Sequence, residues 1–397
     1  MTPTYTAEAA PFVREQSHSA VASNMVRLKT NMKPDPTYYL GHRITSQLGK
    51  LIGELAPDRV YLVTNQVLFD LYGDDIFGSL EEVGLDCRSI LIQDGEDHKS
   101  FQTLESLCET LVEQNISKAS LILGLGGGCL TNIAGLAAAL IFRGIRYVEM
   151  PTTLMGMTDS SLSNKQAVNG RRGKNHFGVY YAPTFLFGDT HYLISEPVNG
   201  KKSALVEGVK NGLISDPTLV SYFLDILKRP LDEYSEEELH RLTRSIIDSK
   251  LEILRRDPSE KAYAMTLEYG HTFGHAMEFL SKGKLPHGFA VAKGMCIAAE
   301  IGRRMGYISA ADVELHYHLF GELLGLDLAI PESLTIDAMI HATQSDNKKT
   351  AGGTKFVLLE RIGQCANPDG DFQVFVEPAL VREVLSEYKA NGGLFRA

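Results

Sequence analysis

The sequence predicts an α/β domain built on a parallel sheet, followed by an all-α domain. Short β-branched runs alternate with helical periodicities as far as about Met150, the pattern of strands joined by crossover helices. After about Pro197 the β signals nearly vanish and long amphipathic runs take over. A length of 397 residues also exceeds one ordinary hydrophobic core. The expected division is a flexible tail at residues 1–25, the α/β domain at 26–196 and the helical domain at 197–397.

Met1 to about Met25 mixes Pro, Ala, Ser and Glu without a basic-then-apolar leader, which suits a flexible tail. Val26–Thr64 holds two β-like runs and a helix, and ends in the buried strand Arg59–Thr64. Leu68–Tyr72 opens a helix, Cys87–Ile92 reads as a strand, and Phe101–Asn115 has helical periodicity. Strand Ser120–Leu123, a glycine turn, helix Thr131–Phe142 and strand Arg146–Met150 complete the α/β part. Leu121–Phe142 lacks charge for about the length of a membrane span. Five glycines, Thr131 and Asn132 interrupt it, so a buried strand, a turn and a buried helix explain it better. The later helical runs are Ala204–Ile214, Glu236–Arg255, Thr266–Ser281, Ala290–Met305 and Ala310–Leu324. A hairpin-like pair, Lys355–Leu359 and Phe372–Val376, is the exception.

Apolar content of 44% and charged content of 22% are ordinary for a globular protein. Lys and Arg number 39 against 49 Asp and Glu, a net charge of −10. That balance argues against nucleic acid and against an anionic membrane, so an anionic substrate must be met by local cations. The five cysteines are scattered and form no CxxC, which suits reduced thiols in the cytoplasm.

Residues 268–278 read EYGHTFGHAME, and His287 follows Pro286 a short loop later. Histidines at i and i+4 share a helix face, and neutral imidazoles suit a divalent transition metal. Spacing alone points to His271, His275 and His287 as ligands, with Glu207 unassigned; a solvated helix face is the plain alternative. Glu207 and Lys210 lie at i and i+3 in an otherwise apolar helix, so they are paired or metal-bound. Residues 123–135 read LGLGGGCLTNIAG. Glycines between strand and helix let backbone N–H groups approach a pyrophosphate in a Rossmann-like site. Cys129 and Thr131 spoil the GxGxxG fingerprint, and a tight turn without ligand would look similar. Glu96 and Lys99, just upstream, supply a carboxylate and an ammonium for ribose and phosphate. Residues 151–175 string Lys165, Arg171, Arg172 and Lys174 among Ser, Thr and Asn, with Arg143 upstream, a composition that suits a phosphate.

Together these pieces resemble the sugar phosphate cyclase family, whose best-known type is 3-dehydroquinate synthase. The resemblance runs from about Thr64 to Gly363 and rests on several motifs in order. These are the GGG turn, Arg143-Gly144, PTT, the block from Asp159 through Lys165 to Asn169, Lys174-Asn175, Glu207 with Lys210, Lys250, GHTFGHAxE, His287-Gly288 and Asp346-Asn-Lys348. It implies NAD held by Glu96, Lys99, Gly127, Gly128, Asn132, Thr152, Thr153 and Lys174. It implies one zinc or cobalt ion on Glu207, His271 and His287, with His275 turned to substrate. Lys165, Asn175, His275, Lys348 and a partner subunit's copy of Arg143 are implied at the substrate phosphate. Asp159, Lys250 and Glu268 join Lys165 and His275 as the catalytic set, in a homodimer acting on a sugar phosphate.

Within the family, the valiolone and gadusol branches carry GHTxSP where this chain reads GHTFGH. Dehydroquinate synthase-like chains read DSSVGGKTGVN, with Arg seven residues and Asn three residues before the first metal-binding histidine. Here those positions are Ala264 and Glu268, and residues 159–169 read DSSLSNKQAVN. Loss of that Arg removes a bidentate fork for a substrate carboxylate. The KQAVN, EYGH and VKN stretches and Asn132 look instead like 2-deoxy-scyllo-inosose synthase, which cyclises glucose 6-phosphate in aminocyclitol antibiotic biosynthesis. The implied reaction is transient oxidation, loss of phosphate by β-elimination, reduction and intramolecular aldol closure. 3-Dehydroquinate synthase and a metal-dependent polyol dehydrogenase are the alternatives. The first strand of the family ends in an Asp for the adenosine ribose, where this chain has Val63-Thr64-Asn65-Gln66, which leaves Glu96 for the ribose hydroxyls.

Overall fold

The computed structural model describes residues 25–29, 35–171, 173–258, 261–345 and 354–395; the expected tail before Met25 falls outside them. Strands β1 (Met25–Lys29), β2 (Thr37–Gly41), β3 (Val60–Thr64), β4 (Cys87–Leu91), β5 (Leu121–Gly126) and β6 (Arg146–Pro151) come first. A hairpin of β7 (Lys165–Gly170) and β8 (Gly173–Tyr180) precedes β9 (Phe185–Asp189). The main sheet has seven strands in the order β1-β2-β9-β6-β5-β3-β4. Only β1 runs antiparallel to its neighbour; the other five pairings are parallel.

Helices α1 (Leu48–Gly53), α2 (Gln66–Glu81), α3 (Phe101–Glu113), α4 (Gly128–Leu140) and α5 (Leu154–Thr158) accompany the strands. The second half contains α6 (Val198–Ser215), α7 (Pro217–Ile226), α8 (Glu236–Arg256), α9 (His271–Leu280) and α10 (His287–Arg304). It ends with α11 (Ala310–Tyr317), α12 (Ile336–Ser345) and α13 (Pro378–Ala390). The expected α/β sheet followed by helices is therefore what the chain builds.

Successive side chains on a strand face opposite ways, and both faces of this sheet are covered. Leu62, Leu123 and Met150 join a core that continues through Val206 and Val209 of α6 to Val291 of α10. Tyr61 and Val63 face the other way, against Leu104 and Leu107 of α3 and Ile133 of α4. Burial on both faces is why β3 and β5 read as unbroken apolar runs rather than alternating ones. Helix starts are marked chemically. Asn65 Oδ1 accepts from Leu68 N at 2.9 Å, Ser100 Oγ from Thr103 N at 3.2 Å, and Ser235 with Glu238 forms a capping box.

Several boundaries differ from expectation. Strand β5 continues through Gly126, so α4 begins at Gly128 rather than Thr131. It ends at Leu140, because Phe142 and Arg143 take positive φ of 51° and 68°. The run Thr266–Ser281 is not one helix. A 3₁₀ turn spans Tyr263–Glu268, Gly270 breaks the chain at φ 78°, and α9 starts at His271. The run after Ala310 turns π-helical over His318–Leu323. The late hairpin is shorter than expected: Lys355–Phe356 pairs with Val374–Phe375. Leu121–Phe142 divides into β5 and α4, and no helix among the described residues is long and apolar enough to cross a membrane.

Candidate active site at the sheet rim and helical core

Glu207 sits mid-way along α6, with its side chain 3% exposed. Its Oε1 atom is buried and accepts no hydrogen bond, while Oε2 takes an ammonium hydrogen bond from Lys210. His271 Nε2 lies 3.5 Å and His287 Nε2 3.4 Å from that Oε1. One ligand atom from each of the three residues lies within 4.8 Å of the others. A buried carboxylate oxygen facing two imidazole nitrogens is an acceptor set whose charge a cation satisfies. The donor chemistry, one carboxylate and two imidazoles, fits zinc or cobalt.

Both imidazoles are oriented from behind. His271 Nδ1 is 3.1 Å from the Tyr269 carbonyl oxygen, and His287 Nδ1 is 3.1 Å from Glu278 Oε2. A proton held at Nδ1 leaves the Nε2 lone pair pointed into the site. Burial, reinforced by Lys210, pushes His271 down to about 3, so it is neutral and ready to ligate. Burial would also lower His287, but the Glu207 and Glu278 carboxylates flanking it hold it up to about 10. Burial would raise Glu207, yet Lys210 and the two histidines keep it well below the usual carboxylate range. A divalent cation would replace the proton on His287.

The paired glycines of this motif are packing devices. A side chain at Gly294 would collide with the Gly270 carbonyl, and one at Gly288 with the Ser203 carbonyl. The glycines let α9 and α10 pack closely and hold α10 against α6, so that the His271 and His287 ring centroids stand 5.5 Å apart. His275, one turn along α9, has its ring 5.1 Å from His271 and 6.0 Å from His287.

Lys250, on α8, donates to Asp159 Oδ1. Burial opposes ionisation of Asp159, but Lys250 holds its pKa below the ordinary value. The charges of Glu207 and Lys210 also act on Asp159, and that of Glu268 acts on His271. Asp159, Lys250, Glu268 and His275 are thus gathered about the candidate metal centre.

The glycine turn closes the other side of the site. Gly127 caps α4 without a side chain, so the first N–H groups of the helix remain for an anion. A Cβ at Gly127 would lie 3.4 Å from Thr153, and one at Gly128 3.0 Å from Ser160 Oγ. Thr152 N donates to Gly126 O at 2.9 Å, which brings Thr152 and Thr153 beside the turn. Asn132 is buried in α4. Glu96 accepts from Asn169 Nδ2 at 2.8 Å and from the Cys129 thiol at 3.2 Å. Lys174 joins the two regions, with its Nζ 2.6 Å from Glu278 Oε1 and 3.4 Å from Glu96 Oε1. This cradle fits a dinucleotide lying across the turn toward the metal centre.

Other expected residues lie apart. Lys99 Nζ donates to Asn175 Oδ1 at 2.6 Å, so the Asn175 amide is turned toward the cofactor cradle. Lys165 is exposed on β7. Arg143 is an exposed residue at the corner after α4. Lys348 and Arg172 fall outside the described residues. The spacing-based choice of His275 as a third ligand gives way to Glu207, whose oxygen faces both Nε2 atoms. Glu278 and Asn169 received no role from sequence. The signal for Glu278 was present, since it lies two turns beyond His271 on the same helix.

Profiles of the 3-dehydroquinate synthase N-terminal and C-terminal domains match residues 89–203 and 204–349. A 2-deoxy-scyllo-inosose synthase of Streptoalloteichus tenebrarius is 36% identical over 355 residues, 88% of this chain and 92% of the relative. A 3-dehydroquinate synthase of Methylococcus capsulatus is 35% identical over 351 residues, 88% of this chain and 95% of its own length. The crystal structure of a 2-deoxy-scyllo-inosose synthase with carbaglucose-6-phosphate, NAD+ and Co2+ superposes with a TM-score of 0.83 at 30% identity, covering 91% of this chain and 99% of that one. With both domain profiles matched in order across the sheet and the helices of the candidate metal centre, the chain belongs to the 3-dehydroquinate synthase family of sugar phosphate cyclases.

Proposed function

We propose that the protein converts glucose 6-phosphate to 2-deoxy-scyllo-inosose with release of phosphate, as a carbon–oxygen lyase that uses NAD+ and one zinc or cobalt ion. The observation that carries this reading is Ala264 with Glu268 beside His271. A short apolar side chain and a carboxylate disfavour an acidic substrate and suit a polyol. The similarity to several 2-deoxy-scyllo-inosose synthases supports it. The Methylococcus relative keeps 3-dehydroquinate synthase as the second reading.

Bound NAD+ would supply a reversible hydride acceptor and the ion an acid for a substrate hydroxyl. Glu207, His271 and His287 would hold the ion, while Glu278 keeps the His287 ring in register. Lys250 keeps Asp159 ionised, so Asp159 can accept a hydrogen bond from a sugar hydroxyl and fix the ring's orientation. Glu268, whose charge acts on His271, would offer a second acceptor. His275 and Lys165 would bind the phosphate, and the departing phosphate can itself take up a proton.

The working unit in this reading is a homodimer in which Arg143 reaches a partner's phosphate site. Two residues before Arg143 in the chain, Ile141 lines a groove of about 350 Å³ together with Phe101, Leu104, Glu105, Cys108 and Leu140. Exposed Phe142 follows Ile141, and exposed Phe177 packs against Phe101 with ring centroids 5.1 Å apart, an apolar area that a second copy would cover. All five cysteines are unpaired thiols, which suits the reducing cytoplasm.

Phosphate release with NAD+ and Co2+ tests the substrate. Release from glucose 6-phosphate without NADH accumulation supports the proposal. Release only from the seven-carbon acid phosphate that yields 3-dehydroquinate refutes it, and net NADH points to a dehydrogenase.

A further inference from the structure

Two fully buried polar side chains, Tyr269 and His316, lie behind the candidate ligand His271 and have no part in the chemistry above. Tyr269 Oη is 2.9 Å from His316 Nε2, and His316 Nδ1 is 2.7 Å from the Asp312 carbonyl oxygen. A carbonyl only accepts, so Nδ1 carries the proton, Nε2 keeps its lone pair and the Tyr269 hydroxyl donates to it. The Met295 carbonyl oxygen, 3.4 Å from the same hydroxyl, is the poorer acceptor. Burial pushes His316 down to about 4, against the pull of the Asp312 carbonyl and carboxylate, so the ring stays neutral and the bond keeps this direction.

Both ends of the pair are anchored. Asp312 forms with Ser309 the capping box that starts α11, which fixes the carbonyl behind His316. Tyr269 N donates to Thr266 O at 3.1 Å, so the tyrosine is held by its N–H in the 3₁₀ turn and by its hydroxyl on α11. Its carbonyl oxygen is the partner of His271 Nδ1 at 3.1 Å, across the reversal at Gly270. Tyr269 belongs to the same apolar core as Phe273 and Phe320. A Phe–Leu pair would fill a similar volume there without burying polar groups. What the polar pair adds is a single orientation, because a satisfied buried hydrogen bond specifies how its members pack.

We infer that His316 is a positioning residue for the candidate metal centre: through Tyr269 it fixes the carbonyl that holds the His271 ring with Nε2 toward Glu207. Loss of either member of the pair frees the short segment that carries Glu268 and the partner of His271, and the ligand nitrogen loses its aim. This rests on the metal-dependent reading above.

Titration of the metal-stripped, full-length enzyme with Co2+ against a competing chelator, with the visible absorption of bound Co2+ recorded alongside, tests it without turnover. Tyr269→Phe keeps the ring and loses only the hydroxyl, and His316→Leu removes the acceptor. Each is expected to weaken Co2+ by about tenfold and to alter the ligand-field bands. Because the two residues act as one unit, the double variant should lose no more than either single one. His316→Gln, which keeps an acceptor, should recover most of the affinity. Wild-type Co2+ affinity and spectrum in Tyr269→Phe, even with a lowered thermal midpoint, would show a merely structural pair and overturn the assignment while sparing the proposed function. Additive losses in the double variant, or a loss in His316→Gln as large as in His316→Leu, would overturn it too. A wild-type enzyme that binds no Co2+ would sink both readings. Should His316→Leu fail to fold, Tyr269→Phe decides the matter.

Discussion

At the scale of single residues, Glu207 defines the chemistry. Its Oε1 is buried and without a donor while two imidazole nitrogens stand 3.4 and 3.5 Å away. Glu207→Ala and His287→Ala are each expected to abolish metal binding and turnover. Metal stoichiometry on the purified variants checks this, and full occupancy in either one refutes the ligand set. Glu278 acts one step back, through His287 Nδ1. Glu278→Ala should leave the fold intact but lower metal affinity by about 10- to 100-fold, read by competition with a chelator; affinity equal to wild type would show that the contact does not orient the ring. The histidines were legible in the sequence because i and i+4 on one helix is a local pattern. Spacing alone could not supply the third candidate ligand, because Glu207 comes from a distant helix and only packing brings it to His271; the family resemblance supplied it. His275 filled the local pattern and so displaced Glu207 in a reading from spacing.

At the scale of elements, helix packing places the candidate ligands. Gly270 takes φ 78°, and a Cβ there would lie 2.9 Å from the Val291 carbonyl and closer still to Met295. Gly270→Ala should therefore cost about 2–4 kcal/mol, combining left-handed strain with overpacking. It should also reduce metal occupancy, because α9 and α10 must separate. Urea unfolding with metal analysis checks both, and a loss below about 1 kcal/mol would contradict the packing account. The start of α5 is tied down by Glu196, whose Oε2 accepts from Leu154 N at 2.9 Å. Burial pushes the Glu196 carboxyl from 4.5 to about 7, against the pull of the Leu154 amide and Lys201. A pKa raised on folding gives stability that is complete below about 4.5 and lost as pH rises through about 7, roughly 3 kcal/mol in all. Glu196→Gln should remove that slope, so its stability gains on wild type between pH 5 and 8; a difference constant with pH would refute the assignment. Long amphipathic runs made α8 and α10 easy to read. The break before His271 was harder, because an apolar 3₁₀ turn carries the same periodicity until Gly270 reverses the chain.

At the scale of the whole molecule, the sheet and the helical half share one continuous core, and the candidate site lies where they meet. The sheet was legible wherever a strand was long, apolar and followed by a crossover helix. It was not at β9, a five-residue strand that reaches the sheet through a hairpin. Nor does the sequence show that Arg143 stands exposed at the corner after α4. Beside exposed Leu140 and Phe142, it would serve a phosphate only across the interface of the proposed homodimer. That geometry has a consequence for mixed oligomers. Arg143→Ala and His287→Ala are each expected to be inactive alone. In a dimer containing one copy of each, one site carries both defects and the other carries neither. Random reassembly from equal amounts makes about half of the dimers mixed, so about a quarter of wild-type activity should return. Phosphate release after denaturation and joint refolding measures it, with separately refolded variants as the baseline. Recovery near a quarter places Arg143 in the partner's site. No recovery, with dimers confirmed by light scattering, would mean that Arg143 serves its own chain or does not serve the reaction.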